Sequence, residues 1–434
     1  MNGRFEYAIR YQAVVTCLKP FRTGGKNRDS QSILLHRDGV PFLQGSSLAG
    51  ALKSWKNNEA LFGASSEQNG KTGSTEGSVI VSDLEFEPNA ATVMRPRLRI
   101  NEQNGAAAYA AKFDVMHLQT GTKGTFELLW CGKKCEADDV KQQLEEYLSA
   151  LNQGLICLGG QKSNGFGRVQ VQAQCRQYNM TNPNDRTAWI MNSMDGSETV
   201  ELRPVRDDRI ILHVTSRTNS LLVKGQTPEG YGEGSVKAAQ IKENDKYVIP
   251  GSSLKGAIKA QAKRIAPFLN ISDTQLESLF GRESRKENGQ SDNGIAGKIT
   301  FSDAIFDDKA KRTAVPRIHI NRFTGGTIRQ GLFTEEVIGG KCEWDIVIPK
   351  WKPEKTKEQQ TGALLVLYAL RDLGIGLYSL GSENAVGRGR IEFLQIDIQT
   401  ENGSAFIKCR ENEVTVQDEN GILAAWQQMG GDEP

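Results

Sequence analysis

Two Gly-Ser-Ser-Leu segments are the residues of this sequence best suited to hold a phosphate. One begins at Gly45 and the other at Gly251, and each leads into a stretch rich in Ala and Lys that predicts a helix. Serine is a favoured N-cap, and the first N–H groups of a helix lie at the positive end of its dipole. Such a turn either caps its helix or offers donors to a phosphate. The candidate hydroxyls belong to Ser46, Ser47, Ser252 and Ser253.

Lysines follow both turns at helical spacing. Lys255, Lys259 and Lys263 recur every four residues and therefore share one helix face, which suits a polyanion. In the first stretch Lys53 matches Lys259, but Ala49 stands where the second stretch has Lys255. We expect the first helix to hold a polyanion less strongly than the second.

Arginines also recur at matched points in the two halves of the chain. Arg97 and Arg317 stand in the similar segments RPRLRIN and VPRIHIN, and Arg168 and Arg390 close the glycine-rich turns GFGR and GRGR. An arginine at the start of a strand is often merely solvated. Its recurrence in two diverged segments is compatible with phosphate contact.

The bulk composition limits the possible classes of protein. The chain has 434 residues, with 54 basic and 52 acidic side chains, so a nucleic-acid partner requires the positive charge to be gathered on one surface. Seven cysteines without a repeated spacing favour reduced thiols and a cytoplasmic location. Because we find no secretion signal and no run of about 18 apolar residues, we expect no membrane partner.

An internal repeat organises the whole chain. Five blocks recur in one order, at offsets that drift only from 206 to 222. They are FLQGSSLAGALKSW with VIPGSSLKGAIKAQ, LFG with LFG, SVIVSDLEF with KITFSDAIF, RPRLRIN with VPRIHIN, and LGGQKSNGFGRVQV with LGSENAVGRGRIEF. The repeat predicts a first domain over 1–180, a linker over 181–205, a second domain over 206–400 and a C-terminal extension over 401–434.

Each half has the same predicted order of elements. An alternating apolar strand opens it, and a glycine-rich loop and the Gly-Ser-Ser-Leu helix follow. The segments SDLEF and SDAIF predict a second strand, RLRIN and RIHIN a third, and TFELLW and EWDIVI a fourth, before a long second helix. This order indicates an α+β class, with two tandem modified ferredoxin-like (RRM-like) sheets.

At this point the residues resemble a known family. The Gly-Ser-Ser-Leu helix starts, LFG before a strand and the closing Gly-x-Gly-Arg blocks are similar to those of the RAMP superfamily, specifically the backbone ribonuclease subunits of type III CRISPR complexes. The tandem arrangement resembles the fused subunits of type III-D-like systems. The resemblance implies that the chain binds CRISPR RNA and target RNA, together with other effector subunits.

The resemblance also implies a thumb hairpin in each domain, which pushes between bases of the guide and the target. The matching segments follow RPRLRI and VPRIHI. Their apolar side chains either wedge a base step or pack within the hairpin, and the candidates are Phe113, Met116, Leu332 and Phe333.

A catalytic aspartate is implied in the loop before the first Gly-Ser-Ser-Leu. Counting back 45 − 29 = 16 residues from Gly45 reaches Asp29. A carboxylate there would align or deprotonate the 2′-OH of target RNA, directly or by holding Mg²⁺ or Mn²⁺, and cleavage would leave a 2′,3′-cyclic phosphate. Arg22, Lys26 and Arg28 of this loop would contact phosphate or offset the developing charge.

The same count in the second copy, 251 − 16 = 235, reaches Ser235, with Glu233 as a possible substitute. We therefore expect the second domain to be inactive. A non-catalytic RNA-binding scaffold in the same complex remains the alternative, since the two hypotheses differ at Asp29 alone.

Two other classes of protein fit the sequence less well. An unrelated RRM-like protein would place an aromatic pair on its central strands, but RLRIN and RIHIN contain none. A small-molecule enzyme would need a phosphate-binding loop, a dinucleotide fingerprint or a catalytic triad, and we find none of these spacings.

Overall fold

The computed structural model describes residues 5–24, 32–68, 71–100, 107–223, 236–284, 286–287, 290–291, 294–350, 356–410 and 413–429. These belong to two units of the chain. One comprises residues 1–97, 113–162 and 166–206, and the other residues 98–112, 163–165 and 207–434. The repeat in the sequence therefore corresponds to two folding units, whereas the domain boundaries that it suggests stay predictions.

The first half of the chain contains strands and helices in the predicted α+β order. The strands are β1 (Tyr7–Cys17), β2 (Phe42–Leu43), β3 (Ala64–Gln68), β4 (Lys71–Thr75), β5 (Val79–Val81), β6 (Leu84–Phe86), β7 (Thr92–Ile100), β8 (Ala107–Leu118), β9 (Lys123–Gly132), β10 (Val169–Asn179) and β11 (Glu198–Thr199). The helices are α1 (Gly45–Trp55), α2 (Glu59–Phe62), α3 (Lys134–Gln153) and α4 (Pro183–Ile190).

The first sheet has the strand order β11–β10–β1–β9–β6–β2, and β5 also pairs with β9. Its central strand β1 pairs antiparallel with both neighbours, so that Tyr7 lies opposite Asn179 on one side and Gly132 on the other. Outside this sheet, β7 and β8 pair with each other and form what we call the first ribbon.

The second half repeats this order with longer strands. The strands are β12 (Ile210–Leu221), β13 (Val236–Ala238), β14 (Lys242–Glu243), β15 (Lys246–Ile249), β16 (Gly281–Arg282), β17 (Lys286–Glu287), β18 (Gln290–Ser291), β19 (Ile295–Ala296), β20 (Thr300–Phe301), β21 (Ala304–Phe306), β22 (Lys311–Ile320), β23 (Thr327–Ile348), β24 (Glu392–Thr400), β25 (Gly403–Arg410) and β26 (Glu413–Gln417). The helices are α5 (Gly251–Ile265), α6 (Asp273–Phe280), α7 (Thr356–Gly374) and α8 (Ile422–Met429).

The second sheet has the order β14–β15–β21–β23–β12–β24–β25–β26. Its strand β23 belongs to two structures at once. From Gly340 to Ile348 it pairs with β12 in the central sheet, and from Leu332 to Gly339 it pairs with β22. We call β22 and the part of β23 up to Gly339 the second ribbon.

The helices bury one face each, at the spacing that the sequence predicts. In α5 the buried side includes Leu254, Ile258 and Ala262, and in α1 it includes Leu48, Ala51 and Leu52. Both sheets bury alternate strand residues against these helices and against α3 or α7, so each unit has its own hydrophobic core. The predicted modified ferredoxin-like architecture is confirmed in both copies.

The predicted linker is ordered against the first unit. Trp189 lies in α4, with its ring 5.5 Å from that of Phe5 and 5.3 Å from that of Tyr178, whereas Ile190 is 79% exposed. Further on, the backbone N–H of Val205 donates to Gln153 Oε1 over 2.6 Å. Residues 181–205 therefore belong to the first unit and pack on it.

The C-terminal extension continues the second unit. Strands β25 and β26 extend its sheet beyond β24, and the side chains of Ile422 and Trp426 in α8 join its core. Trp426 is only 2% exposed. Although residues 401–434 have no counterpart in the first half, their described part belongs to the second fold.

We predict that Trp426→Ala will lower the free energy of unfolding of the second unit by about 3–5 kcal/mol, because a buried indole leaves a cavity. The measurement is hydrogen exchange of peptides from α7 under native conditions. Gln427→Ala, a substitution of the exposed neighbour, is the control and should leave exchange unchanged. Equal protection of α7 in both variants would contradict the packing described here.

Candidate nucleic-acid interface

An aspartate from the protein itself occupies the start of each Gly-Ser-Ser-Leu helix. The N–H of Gly45 donates to Asp83 Oδ1 over 2.7 Å, and that of Gly251 donates to Asp303 Oδ1 over 2.7 Å. The N-cap residues are Gln44 and Pro250, and neither makes a side-chain cap. The prediction that serine caps these helices is therefore wrong, because the carboxylate next to the dipole's positive end supplies the acceptor.

The serine before each aspartate joins this helix start to the neighbouring long strand, which is β9 in the first copy and β23 in the second. Ser82 donates its N–H to Glu127 O over 3.0 Å and accepts the N–H of Glu127 at Oγ over 2.8 Å. Ser302 makes the same two contacts with Asp345, over 2.9 and 2.8 Å. Strands β6 and β21 therefore begin two residues later than the segments SDLEF and SDAIF predict. The sequence repeats the Ser-Asp pair but does not reveal that it joins a helix start to a strand.

The serines inside the helix starts keep their hydroxyls near the surface. Ser46 and Ser47 are exposed, and Ser252 and Ser253 are half-buried. The first N–H group of each helix is bonded to a carboxylate, so phosphate contact at this turn would use the hydroxyls or the N–H groups that follow. It stays a prediction.

Two of the predicted RNA-binding lysines tie their helices to the LFG turns. Lys53 Nζ donates to Gly63 O over 2.5 Å, and Lys259 Nζ donates to Gly281 O over 2.7 Å. Both glycines have positive φ, and a Cβ at either would approach backbone atoms within 2.6 Å. These ammonium groups thus have a structural partner in both copies, while Lys255 is half-buried and Lys263 exposed.

Arg97 and Arg317 are held by equivalent residues in the two copies. Arg97 Nη1 donates to Gln161 Oε1 over 2.7 Å, and Arg317 Nη1 donates to Glu383 Oε2 over 2.6 Å and to Glu335 Oε2 over 3.2 Å. Gln161 and Glu383 both adopt left-handed φ near +65°, a strained conformation for residues other than glycine. The hydrogen bonds that Arg317 donates to Glu383 and Glu335 raise the pKa of Arg317.

Arg168 and Arg390 lie across the C-terminal ends of the long helices. Arg168 Nε lies 2.9 Å from where a Cβ of Gly154, which ends α3, would stand. Arg390 Nε lies 3.6 Å from the same point of Gly376, just after α7. Both arginines are exposed. A cation there is stabilised by the negative end of the helix dipole and is still open to solvent on its other side.

Arg22 is buried, contrary to what an RNA-contacting side chain requires. It is 8% exposed, and its guanidinium donates to Met116 O over 3.3 Å and to Ser32 O over 3.4 Å. Two of its partners are thus backbone carbonyls, one on β8 and one just after the first loop, and contact between Arg22 and RNA stays a prediction.

The second ribbon has a local excess of positive charge, although the whole chain is nearly neutral. From Lys311 to Gly339 there are five cations and two carboxylates, Glu335 and Glu336, and Lys309 lies two residues before the ribbon. No Asp or Glu stands between residues 309 and 333, whose cations are Lys309, Lys311, Arg312, Arg317, Arg322 and Arg329. All except Arg317, which is half-buried, are exposed, although Arg312 also pairs with Glu336 over 3.2 Å. This basic segment provides the clustered positive charge that binding a nucleic acid would require.

The same ribbon also exposes apolar side chains. Their exposed fractions are 49% for Ile318, 59% for Ile320, 90% for Phe323, 49% for Ile328 and 69% for Leu332. Phe323 lies in the tip turn, where Asn321 Oδ1 accepts the N–H of Phe323 over 2.9 Å. Sequence reasoning did not name Phe323, although the Asn-Arg-Phe-Thr-Gly-Gly segment carries a turn signal.

The predicted thumb side chains divide into exposed and packed ones. Leu332 and Phe113 are exposed, at 69% and 40%. Phe333 is 9% exposed and stacks on His319 with ring centroids 5.0 Å apart, and Met116 is half-buried against the first core. Phe333 therefore packs within the second ribbon and Met116 against the first core, while insertion of these four side chains between bases stays a prediction.

Several predicted residues lie outside the described part of the chain, namely Lys26, Arg28, Asp29, Glu233 and Ser235. Within the described residues no three His, Cys, Asp or Glu side chains converge in a way that would hold a metal ion. The role of Mg²⁺ or Mn²⁺ at Asp29 stays a prediction.

All seven cysteines are free thiols, as the odd count predicts. Burial raises the pKa of Cys17 to about 12 and that of Cys175 to about 11. These two thiols are protonated at neutral pH and do not act as nucleophiles. No described helix is long and apolar enough to cross a bilayer.

The family profile described as RAMPs, the RAMP superfamily, matches residues 14–170 and 219–392. The two matched regions contain both Gly-Ser-Ser-Leu helices and both closing glycine-rich turns, and they cover most of the chain. No curated protein matches this chain.

We predict that Asp303→Ala will destabilise the second unit by about 1–3 kcal/mol, since it removes the acceptor of a buried N–H at the start of α5. The measurement is urea denaturation followed by hydrogen exchange of α5 peptides. Asp303→Asn, which keeps an oxygen acceptor, should lose less. Asp308→Ala, at a side chain that is 88% exposed, is the control, and an equal loss there would contradict the assignment.

Proposed function

This chain belongs to the RAMP superfamily, and on that premise we propose that it is an RNA-binding backbone subunit of a type III CRISPR effector complex. In this function two tandem RAMP domains bind CRISPR RNA and its target RNA, beside other effector subunits. The type III-D-like subtype is part of the proposal and rests on the fused arrangement of the two copies.

The observation that supports RNA binding most strongly is the second ribbon. Its basic side chains can neutralise phosphates, and its exposed apolar side chains can stack on or separate bases. Phe323 at the tip and Leu332 on β23 are the best placed of these, since both are largely exposed. A surface that combines cations with an exposed aromatic ring is typical of single-strand and junction binding.

The first ribbon carries a smaller version of the same surface. Leu98 and Ile100 are 50% and 51% exposed, at the positions that match Ile318 and Ile320 in the second ribbon. Exposed apolar residues on both ribbons are consistent with a thumb in each domain. The proposal leaves sequence recognition to pairing between guide and target.

We further propose that the first domain cleaves target RNA through Asp29. The 2′-OH next to the scissile phosphate attacks the phosphorus and loses its proton, while the 5′-oxygen leaves with a proton. A carboxylate at Asp29 would accept the proton of the 2′-OH or align that group. The products would carry a 2′,3′-cyclic phosphate and a 5′-hydroxyl.

Mg²⁺ or Mn²⁺ is proposed as the companion of Asp29, and when bound it would neutralise charge on the phosphate. The alternative function is a scaffold that holds guide and target while another subunit cuts. Its support is the second copy, where Ser235 stands at the position of Asp29.

We predict that Phe323→Ala will weaken binding of a guide–target duplex by the reconstituted complex about 5- to 150-fold, which corresponds to one lost stacking contact of about 1–3 kcal/mol. Fluorescence anisotropy over a range of salt concentrations measures it. The matched control is Phe268→Ala, because that ring is also exposed, at 84%, but lies after α5 and outside the ribbon. Equal losses in both variants would refute the ribbon as the RNA contact.

We predict that Asp29→Ala will abolish one target cut in the complex while target affinity stays unchanged. The measurement is single-turnover cleavage with Mg²⁺, Mn²⁺ or EDTA, with the product ends mapped by susceptibility to phosphatase. Asp38→Ala is the control, since Asp38 lies in an exposed turn where its Oδ1 accepts the N–H of Val40 over 3.2 Å. An unchanged ladder with Asp29→Ala would make the chain a scaffold.

A further inference from the structure

The two copies differ at the C-terminal end of their second long helix, which is α3 in the first copy and α7 in the second. Gln153 and Leu155 at the end of α3 are half-buried, whereas the matching Ile375 and Leu377 are 60% and 64% exposed. The second copy therefore has the more apolar pair on the more exposed surface.

The hydrogen bonds of the helix ends establish this match. The N–H of Leu155 donates to Ala150 O over 2.9 Å, and the N–H of Leu377 donates to Asp372 O over 2.9 Å. Each leucine follows a glycine with positive φ. The offset 377 − 155 = 222 also separates the closing glycine-rich blocks, which begin at residues 158 and 380. The two helix ends therefore share one pattern of backbone hydrogen bonds.

In the first copy a stretch of polypeptide covers this end of the helix. Gln153 Nε2 donates to Val205 O over 3.2 Å, and Gln153 Oε1 accepts the N–H of Val205 over 2.6 Å. Val200, Leu202 and Val205 are half-buried and pack against the first core, as Leu155 does. The covering stretch is thus 200–205, in which one or two exposed residues separate the apolar ones.

The second copy adds different elements beside α7. Strand β25 pairs with β24, and α8 contacts α7, with Ile422 and Trp426 in the core. Within the described residues these elements leave Ile375 and Leu377 exposed. The surface that polypeptide covers in the first copy is therefore open in this part of the second.

The comparison between the copies gives this exposed pair its meaning. Exposed aliphatic residues alone say little, because much of the accessible surface of any folded protein is apolar. Here the same fold covers the matching surface in its other copy, and the open version is the one with Ile375 in place of Gln153. An apolar surface of this kind marks a site of protein–protein contact.

Exposed cations lie beside the apolar pair. Arg371, in the last turn of α7, is exposed, and its carbonyl oxygen accepts the N–H of Ile375 over 3.0 Å. Arg390 is also exposed, and its Nε lies 3.6 Å from where a Cβ of Gly376 would stand. Acidic residues on a partner would complement these two charges.

We infer that Ile375 and Leu377 form a docking site for another protein subunit of the effector complex. The partner covers them with a stretch of apolar residues that acidic residues accompany. The inference rests on the proposed function, because it takes this partner from the same complex. Apolar contact holds the partner there, since Ile375 has no amide to bind a backbone as Gln153 does.

Two other occupants fit the surface less well. RNA would find no ring on which to stack a base, since both side chains are aliphatic. A second copy of this chain would have to use a different segment, because its own residues 200–205 already pack on its first unit. Another subunit is therefore the occupant that the surface favours.

The first test identifies what lies against Leu377 in the reconstituted complex. Leu377 is replaced by the photoreactive residue p-benzoylphenylalanine, the complex is irradiated, and the adduct is mapped by mass spectrometry. We expect one adduct, with a peptide of another subunit that contains apolar and acidic residues. An adduct with RNA, with a second copy or within the same chain would overturn the inference, and so would the absence of any adduct.

The second test measures assembly. Leu377→Asp should weaken binding of this chain to the other assembled subunits at least about tenfold, since covering an aliphatic side chain contributes that much or more. Its melting temperature and the affinity of the free chain for CRISPR RNA should stay unchanged. The matched control is Val414→Asp, because Val414 is also 64% exposed but lies on β26. Native mass spectrometry over a concentration series measures the assembly.

Three results would overturn the inference. Leu377→Asp that assembles like the wild type would refute the docking site and leave the proposed function intact. Equal losses in Leu377→Asp and Val414→Asp would assign the effect to added charge. A wild-type chain that joins no complex with CRISPR RNA would refute the proposed function and this inference together.

Should Leu377→Asp lower the melting temperature, Ile375→Gln replaces it as the test. This substitution installs the residue type that the first copy carries at Gln153, so the fold accepts it. The inference expects a stable variant that assembles less tightly and binds CRISPR RNA normally. A stable Ile375→Gln variant that assembles like the wild type would overturn it.

Discussion

The contact between a Ser-Asp pair and the first turn of a helix is the constraint on which each unit depends. In both copies the serine makes two hydrogen bonds to a long strand, β9 in the first copy and β23 in the second, and the aspartate next to it accepts the first N–H of the helix. Three elements distant in sequence therefore meet at one dipeptide. The cores on either side, with Leu48 in one copy and Leu254 in the other, pack against helices whose origin this contact fixes.

Much of the fold followed from periodicity, but the placement of polar groups did not. The alternating strands, the helix faces and the duplication are local patterns, and they appear where the sequence indicates them. The caps of α1 and α5 could not be inferred, because Asp83 and Asp303 lie 38 and 52 residues from the glycines that they bind. The helical spacing of Lys53 and Lys259 predicts phosphate contact, but it does not reveal that each ammonium group reaches a backbone carbonyl.

Some buried positions carry an arginine in only one of the two copies. At one of them the arginine belongs to the first copy, and at another it belongs to the second. Where the first copy has Arg95 the second has Val315, yet where the first has Phe166 the second has Arg388, which donates to Glu335 Oε2 over 2.6 Å. Arg95, which is 1% exposed, has its guanidinium 5.3 Å from the centre of the Phe166 ring, whereas the second copy pairs its buried arginine with a carboxylate. A sequence comparison sees only divergence at these places, since the compensating residue stands far away along the chain.

Because β23 is one continuous strand, an odd and an even number of inserted residues would have different effects on the second ribbon. Because one strand serves both the second ribbon and the central sheet, an odd insertion at Gly339 or Gly340 would turn every ribbon side chain to the opposite face relative to the core. An even insertion would keep both faces.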